Sequence, residues 1–292
     1  MSNVIEDIKR NFNTGNGLTK LIYINVGVFL LFQILFVFSF LFSIAELRFS
    51  SFFALPADIT ALAKKPWTII TYMFLHQSFL HLLFNMLWLY FGGQIFLSFF
   101  SSKQLISTYI LGGICGGILF VLSFNLFPVF ASNVQYAIAM GASASVLAIV
   151  LAIATKSPNY TIRLLLIGNI KLKHIALACI ILDILSIPKG NAGGHLAHLG
   201  GAFFGFLYVK QLNGGNDISS GFNKIMDYLA ELFQYKPKLT KVYSRTKSDQ
   251  DFRKEKVKEQ AKTDKVLEKI AKSGYEGLTK EEKDILFKAS KK

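Results

Sequence analysis

The chain has 292 residues; 52% are hydrophobic, 17% are charged, 28 are Phe, and the formal net charge is +14. Soluble domains carry about 25% charged residues, so this composition excludes a disordered chain and argues against an ordinary soluble enzyme. The charge is uneven, with a net of +8 in residues 236–292 behind an apolar body, and both cysteines (Cys115, Cys179) lie in apolar runs, which excludes a disulfide framework or a CxxC metal site.

A membrane span needs roughly 17–25 mostly apolar residues. In chain order, Leu21–Phe42 carries no charge and reads as a span, not a cleaved leader, since it starts late and no small-residue cleavage site follows. Leu80–Phe99 is the second span and includes His81 and Asn85. Leu105–Phe124 is Gly-rich, and Ala137–Ala154 is rich in small residues. His174–Ile187, which contains Asp183, and Gly194–Val209, which opens with two His, are short; the tight loop SIPKGNAGG pairs them as a hairpin. The expectation is an all-α polytopic membrane protein of six spans. Lys and Arg in the short loops gather on one side, which puts both termini in the cytoplasm. The segment Ser43–Phe79 is then external, and it is apolar enough to pack or to dip into the bilayer edge.

Beyond the spans, Asp217–Tyr235 places Phe222, Ile225, Met226, Leu229, Leu232 and Phe233 at helical spacing, with Ser219 or Ser220 as N-cap. This amphipathic helix either lies on the bilayer surface or packs as an ordinary helix. Residues 236–249 read as a linker and 250–272 as a Lys/Glu-rich helix. Gly274 breaks that helix, and Thr279 with Glu282 forms a capping box for a last one. Near-balanced charge within these helices favours a solvated hairpin over a nucleic-acid arm, so no nucleic-acid partner is expected.

Polar side chains inside spans are costly and are functional candidates. Four of the five histidines, His76, His81, His195 and His198, lie at or inside the spans toward the external side. His81 and Asn85 are i, i+4 on one helix face. Ser143 sits among Gly141, Ala142, Ala144 and Ser145, so a facing helix can come close. Gly201 and Gly205 follow His198 at i+3 and i+7 and make its face a groove. Each feature has a plainer reading. A lone serine in a span most often bonds its own i−4 carbonyl, small-residue faces such as Gly112/Gly116 and Gly113/Gly117 are most often packing, and four histidines can ligate a metal. Taken together, a nucleophile, a base and donors for an oxyanion fall on three spans at similar depth. Asp183 lies one helix earlier than His198, so the set reads as a Ser–His dyad, not a triad.

The stretches HQSFLHLLFNMLWLYFGG (76–93), GASAS (141–145) and GGHLAHLGGAFFG (193–205) resemble, in order, the motifs of the rhomboid intramembrane serine proteases. The resemblance covers roughly residues 18–212. It implies a six-transmembrane-helix rhomboid-like bundle, with Ser143 as nucleophile and His198 as general base. It also implies an oxyanion hole of His81, Asn85 and the Ser143 N–H, a site lined by His76, Gly141 and His195, and helix packing at Gly201 and Gly205. No cofactor and no metal are implied. There are three departures. Ala144 replaces the glycine usual after the nucleophile, and Leu147 replaces an aromatic residue often found one turn later, which stacks on the base. Pro66-Trp67-Thr68 stands where many members have Trp-Arg.

The expected organisation is a cytoplasmic N-terminal segment (1–17), a six-span protease core (18–212), an amphipathic juxtamembrane helix (213–235) and a charged, helical cytoplasmic tail (236–292). The expected function is an intramembrane serine endopeptidase, cutting transmembrane protein substrates near the external face. The lipid bilayer is the medium, a bacterial inner membrane is the expected location, and the sequence leaves the oligomeric state open. The rivals are a catalytically inactive rhomboid-like binding protein and a His-lined transporter or metal-site protein.

Overall fold

The computed structural model describes residues 4–44, 49–164, 168–233 and 249–290. The protein is mostly helical and divides into two units, Met1–Gln234 and Tyr235–Lys292. The 236–249 linker expectation falls, but for Asp249, outside the described residues.

The first unit opens with α1 (Val4–Thr14) and α2 (Gly17–Leu41), the latter capped by the Asn16 side chain accepting from Thr19 N. The segment after α2 is folded, as its apolar composition requires. It forms α3 (Phe49–Phe53), β1 (Leu55–Pro56), α4 (Ile59–Lys64), α5 (Thr68–Thr71) and a 3-10 turn at Tyr72–Phe74. Ala54, Leu55, Ala57, Tyr72 and Met73 are buried. Trp67 of the atypical Pro66-Trp67-Thr68 stretch pins this segment, its Nε1 donating to the Phe52 carbonyl at 3.0 Å. Thr71 Oγ1 donates to Phe53 O at 2.7 Å.

Next come α6 (Phe79–Leu97), α7 (Ser102–Leu126), β2 (Ile138–Ala139), α8 (Ser143–Lys156), β3 (Thr161–Leu164), β4 (Gly168–Lys171), α9 (Leu172–Ser186) and α10 (Ala192–Asn213). β1 pairs antiparallel with β2 in the register Leu55↔Ala139 and Pro56↔Ile138, and β3 pairs antiparallel with β4. Helices α2, α6 and α7 are long and apolar enough to cross a membrane. Their outward faces are apolar too: Leu30, Ile34, Phe36 and Phe40 on α2 and Phe84 and Phe91 on α6 are exposed. A surface like that suits lipid, not water.

One sequence boundary is corrected. The apolar run Ala137–Ala154 is not one helix, because 138–139 is strand and Gly141 has φ +132°, outside helical space. Helix α8 begins only at Ser143 and has 14 residues.

α10 packs chiefly on α7 and α8, and α8 is buried along nearly its whole length. Glycines set this spacing. A Cβ at Gly201 would overlap the Ala144 carbonyl, and one at Gly205 the Ala148 carbonyl. Gly112 and Gly116 meet Ala148 and Ala144 from α7, while Gly113 and Gly117 receive Met73 and Leu55. The small-residue stripes of α7 are packing surfaces on two sides.

One set of buried polar groups ties three elements together. Asn25, fully buried on α2, donates to Leu21 O (2.8 Å) and to the Tyr109 hydroxyl (3.0 Å). That hydroxyl donates to Met73 O at 3.1 Å, so one network joins α2, α7 and the 3-10 turn.

α11 (Ser220–Phe233) closes the first unit, with Ser219 accepting from Asn223 N and Lys103 pairing with Asp227 at 2.5 Å. The second unit contains α12 (Asp249–Ser273) and α13 (Lys280–Ala289). Gly274 turns the chain at φ +74°, Thr279 and Glu282 form a capping box, and Lys269 pairs with Glu282 at 2.8 Å.

Gly205→Ala is expected to destabilise the protein by about 1–3 kcal/mol through overpacking. Gly27, on α2, has open space around its Cβ position, so Gly27→Ala serves as the control and leaves the melting temperature unchanged or slightly higher. Thermal unfolding in detergent reads both. Equal shifts in the two variants would mean that the α8–α10 contact is not tight.

Candidate active site

Ser143 is the first residue of α8, so the N–H groups of Ser143, Ala144 and Ser145 lack intrahelical acceptors; the first intrahelical bond runs from Val146 N to Ala142 O. These groups carry the positive end of the helix dipole. Gly141 makes the approach. Its N–H donates to Tyr72 O at 3.0 Å, and the Tyr72 hydroxyl donates to Gly113 O at 2.6 Å, which anchors the turn to α7. A Cβ on Gly141 would stand 2.9 Å from Cε1 and Nε2 of His81 and 3.7 Å from Ser143 Oγ. The His81 ring therefore lies directly on the backbone beside the serine, and only a glycine permits both that contact and the positive φ.

α10 brings His198 to the same point, with Nε2 2.6 Å from Ser143 Oγ. Both side chains are half-buried. A hydroxyl hydrogen-bonded to an imidazole nitrogen at this distance can give up its proton as it attacks an electrophile.

The sequence reading left this base without a carboxylate, and the geometry corrects that. Asp183 Oδ1 lies 2.8 Å from His198 Nδ1 and 2.8 Å from His195 Nδ1. The α9–α10 turn returns the carboxylate to the base: Asn191 takes a left-handed conformation (φ 50°) and caps α10 by accepting from Gly194 N. The donor atoms of Asp183, His195 and His198 lie within 4.8 Å of one another, a set that could also hold a metal ion.

Asn85 is buried on α6, one turn after His81, and one N–H of its amide donates to the His81 carbonyl at 2.8 Å. An amide has two N–H donors, so the second is not used by that bond. His76 is buried between the 3-10 turn and α6, with its ring 5.2 Å from that of His81. Burial, and then the nearby His81, lower its pKa from the ordinary 6.5 to about 4, so His76 is neutral at physiological pH. Ser145, the neighbouring serine, is fully buried with its Oγ against Met73 Sδ at 3.7 Å, far less accessible than Ser143. Asp183 and Tyr72 are the contributors least evident in the sequence. Asp183 was visible as an acid in an apolar run, whereas nothing in the spacing marks Tyr72.

A family profile described as Rhomboid domain matches residues 63–213, and one described as a family of unknown function (DUF6576) matches residues 246–292. The chain is similar to Presenilin-associated rhomboid-like protein A, mitochondrial, of Danio rerio, with 27% identity over 139 residues, 47% of this chain and 35% of that protein. The match thus spans about a third of that relative's length. Its name places that relative in mitochondria, which gives no support to the bacterial inner membrane expected from the sequence.

A fluorophosphonate is expected to form one covalent adduct, on Ser143. Peptide mass mapping locates it, and an adduct on Ser145 would contradict the accessibility argument.

Proposed function

Because the chain belongs to the rhomboid family, we propose that this integral membrane protein is a serine endopeptidase that cuts transmembrane segments of other membrane proteins. The observation that supports this most is the 2.6 Å contact from His198 Nε2 to Ser143 Oγ, at a helix N-terminus whose N–H groups are unspent.

His198 takes the proton from Ser143 as Oγ bonds to the scissile carbonyl carbon. The carbonyl oxygen becomes an oxyanion, received by the Ser143 N–H, His81 and the free N–H of Asn85, with the α8 dipole favouring its charge. The C–N bond then breaks, His198 gives its proton to the leaving amine, and an acyl-enzyme remains. Water, deprotonated by His198, attacks the ester and frees Ser143. The reaction runs on side chains, backbone donors and water.

Six of the helices, α2, α6, α7, α8, α9 and α10, act as the spans. Lys and Arg in the loops put both termini in the cytoplasm and the serine toward the external face. Helices α8 and α9, with 14 and 15 residues, are short for a span, which leaves room for water above the serine. His76, His81 and His195 line that entry. A substrate helix hides its carbonyls in i→i−4 bonds, so it must unwind at its external end before it can be cut. The 187–191 connection between α9 and α10 is the mobile cap and α9 the gate.

Cleavage of a transmembrane substrate by the purified protein tests the reading. Ser143→Ala and His198→Ala are each expected to lose at least roughly 10³-fold in kcat, while His195→Ala retains part of its turnover. Absence of both cleavage and fluorophosphonate labelling in the wild type would leave a rhomboid-like protein that binds its partners without cutting them.

For Asn85→Ala the expected drop in kcat is roughly 10²–10³, about 2.7–4 kcal/mol, the loss typical of one oxyanion donor, with little change in melting temperature. A lower melting temperature at unchanged kcat would assign Asn85 to helix packing alone.

A further inference from the structure

Asp183 sits on α9 among side chains turned outward: Leu182, Ile184 and Leu185 are exposed, while Asp183 itself is 8% exposed. A carboxylate in an apolar setting is expensive unless it is paired. Here it is paired twice through one oxygen, with His198 Nδ1 and His195 Nδ1 both at 2.8 Å.

A neutral imidazole carries one N–H. If His198 holds it on Nδ1, it donates to Asp183, and the Nε2 lone pair faces the Ser143 hydroxyl. The other tautomer would set two lone pairs against each other at Nδ1 and would make Nε2 a donor to the Ser143 oxygen, with no lone pair left to take the hydroxyl proton. The carboxylate therefore selects the tautomer in which His198 can accept a proton, and it holds the ring plane. When Nε2 becomes protonated, the ring is cationic and the carboxylate stabilises it without taking the proton. His195, one turn earlier on α10, spends its own Nδ1–H on the same oxygen, so the carboxylate is held from two points.

We propose that Asp183 is a positioning residue for the reaction, orienting His198 toward Ser143, and that His195 anchors Asp183. This rests on the serine-protease reading above. The other role such a contact could have is a latch that keeps α9 against α10. A latch and a positioning residue differ in kinetics: releasing a latch on a gate helix leaves kcat unchanged or raises it, whereas losing the orienting group lowers kcat and leaves substrate binding alone.

The experiment uses the full chain in detergent with a transmembrane substrate, reporting kcat, KM and melting temperature per folded molecule. In Asp183→Asn the amide can present an N–H to Nδ1 and stabilise the wrong tautomer, so kcat is expected to fall roughly 10²–10⁴-fold with KM little changed. In Asp183→Ala, added formate occupies the vacated position and restores part of the turnover. His195→Leu keeps the carboxylate but loses the anchor; it is expected to show a partial loss of kcat at constant KM. Should loss of the carboxylate prevent folding, this variant carries the test, and wild-type kcat in it overturns the proposal. Wild-type kcat in either Asp183 variant, or a loss in Asp183→Ala that formate does not touch, also overturns it. Ser143→Ala separates the two readings: if it cleaves like the wild type, the serine mechanism itself fails, and if it is dead while the Asp183 variants turn over normally, only the positioning role fails.

Discussion

The contact that everything else depends on is backbone against backbone, where α10 presses Gly201 and Gly205 onto the Ala144 and Ala148 carbonyls of α8. Lipid offers helices no hydrophobic reason to associate, so close packing of small residues supplies the attraction. Proximity is also what the chemistry requires. His198 lies one turn before Gly201 on the same face, so the spacing that admits the glycine carries the imidazole to the serine. Gly112 and Gly116 of α7 meet the same two alanines from another side, which makes α8 the buried centre of the bundle. Ser143, the proposed nucleophile, is therefore held by the best-packed element, as a site that needs sub-ångström placement demands.

The second constraint is the cost of polarity inside an apolar body. The buried polar groups around the turn that leads to Ser143 are paired in a chain. Tyr72 bonds Gly113 with its hydroxyl and receives Gly141 with its carbonyl. Asn25, Tyr109 and Met73 join α2 to that same turn. In a medium that cannot solvate a stray amide, such bonds fix the turn leading to Ser143. The His81 ring resting on Gly141 is the last link, and it leaves no room for a side chain there.

Much of this was legible because the polar exceptions stand out against a nearly uncharged body. His81 and Asn85 share a helical spacing, and His198, Gly201 and Gly205 share a face, so a short list of residues could be read from period alone. Three things were not legible. The helical start of α8 was hidden by an apolar run continuous across 137–142; only the positive φ of Gly141, invisible in sequence, ends it. Asp183 was visible but lies 15 positions before His198, and whether it reaches the base depends on a left-handed Asn191, a conformation that no pattern of hydrophobicity encodes. Asn25 was one of two amides in an uncharged span, and its partner Tyr109 is 84 residues away. In each case the missing information was a long-range pairing set by tertiary packing.

The central claim is that the α8–α10 contact brings His198 to Ser143. It is tested most directly by the rate at which a fluorophosphonate phosphonylates Ser143 in Gly201→Ala, measured on folded protein. The added Cβ must push α10 away from the Ala144 carbonyl, so phosphonylation is expected to slow by at least about tenfold, the equivalent of roughly 1.4 kcal/mol on the barrier. Phosphonylation at the wild-type rate in that variant would contradict the account.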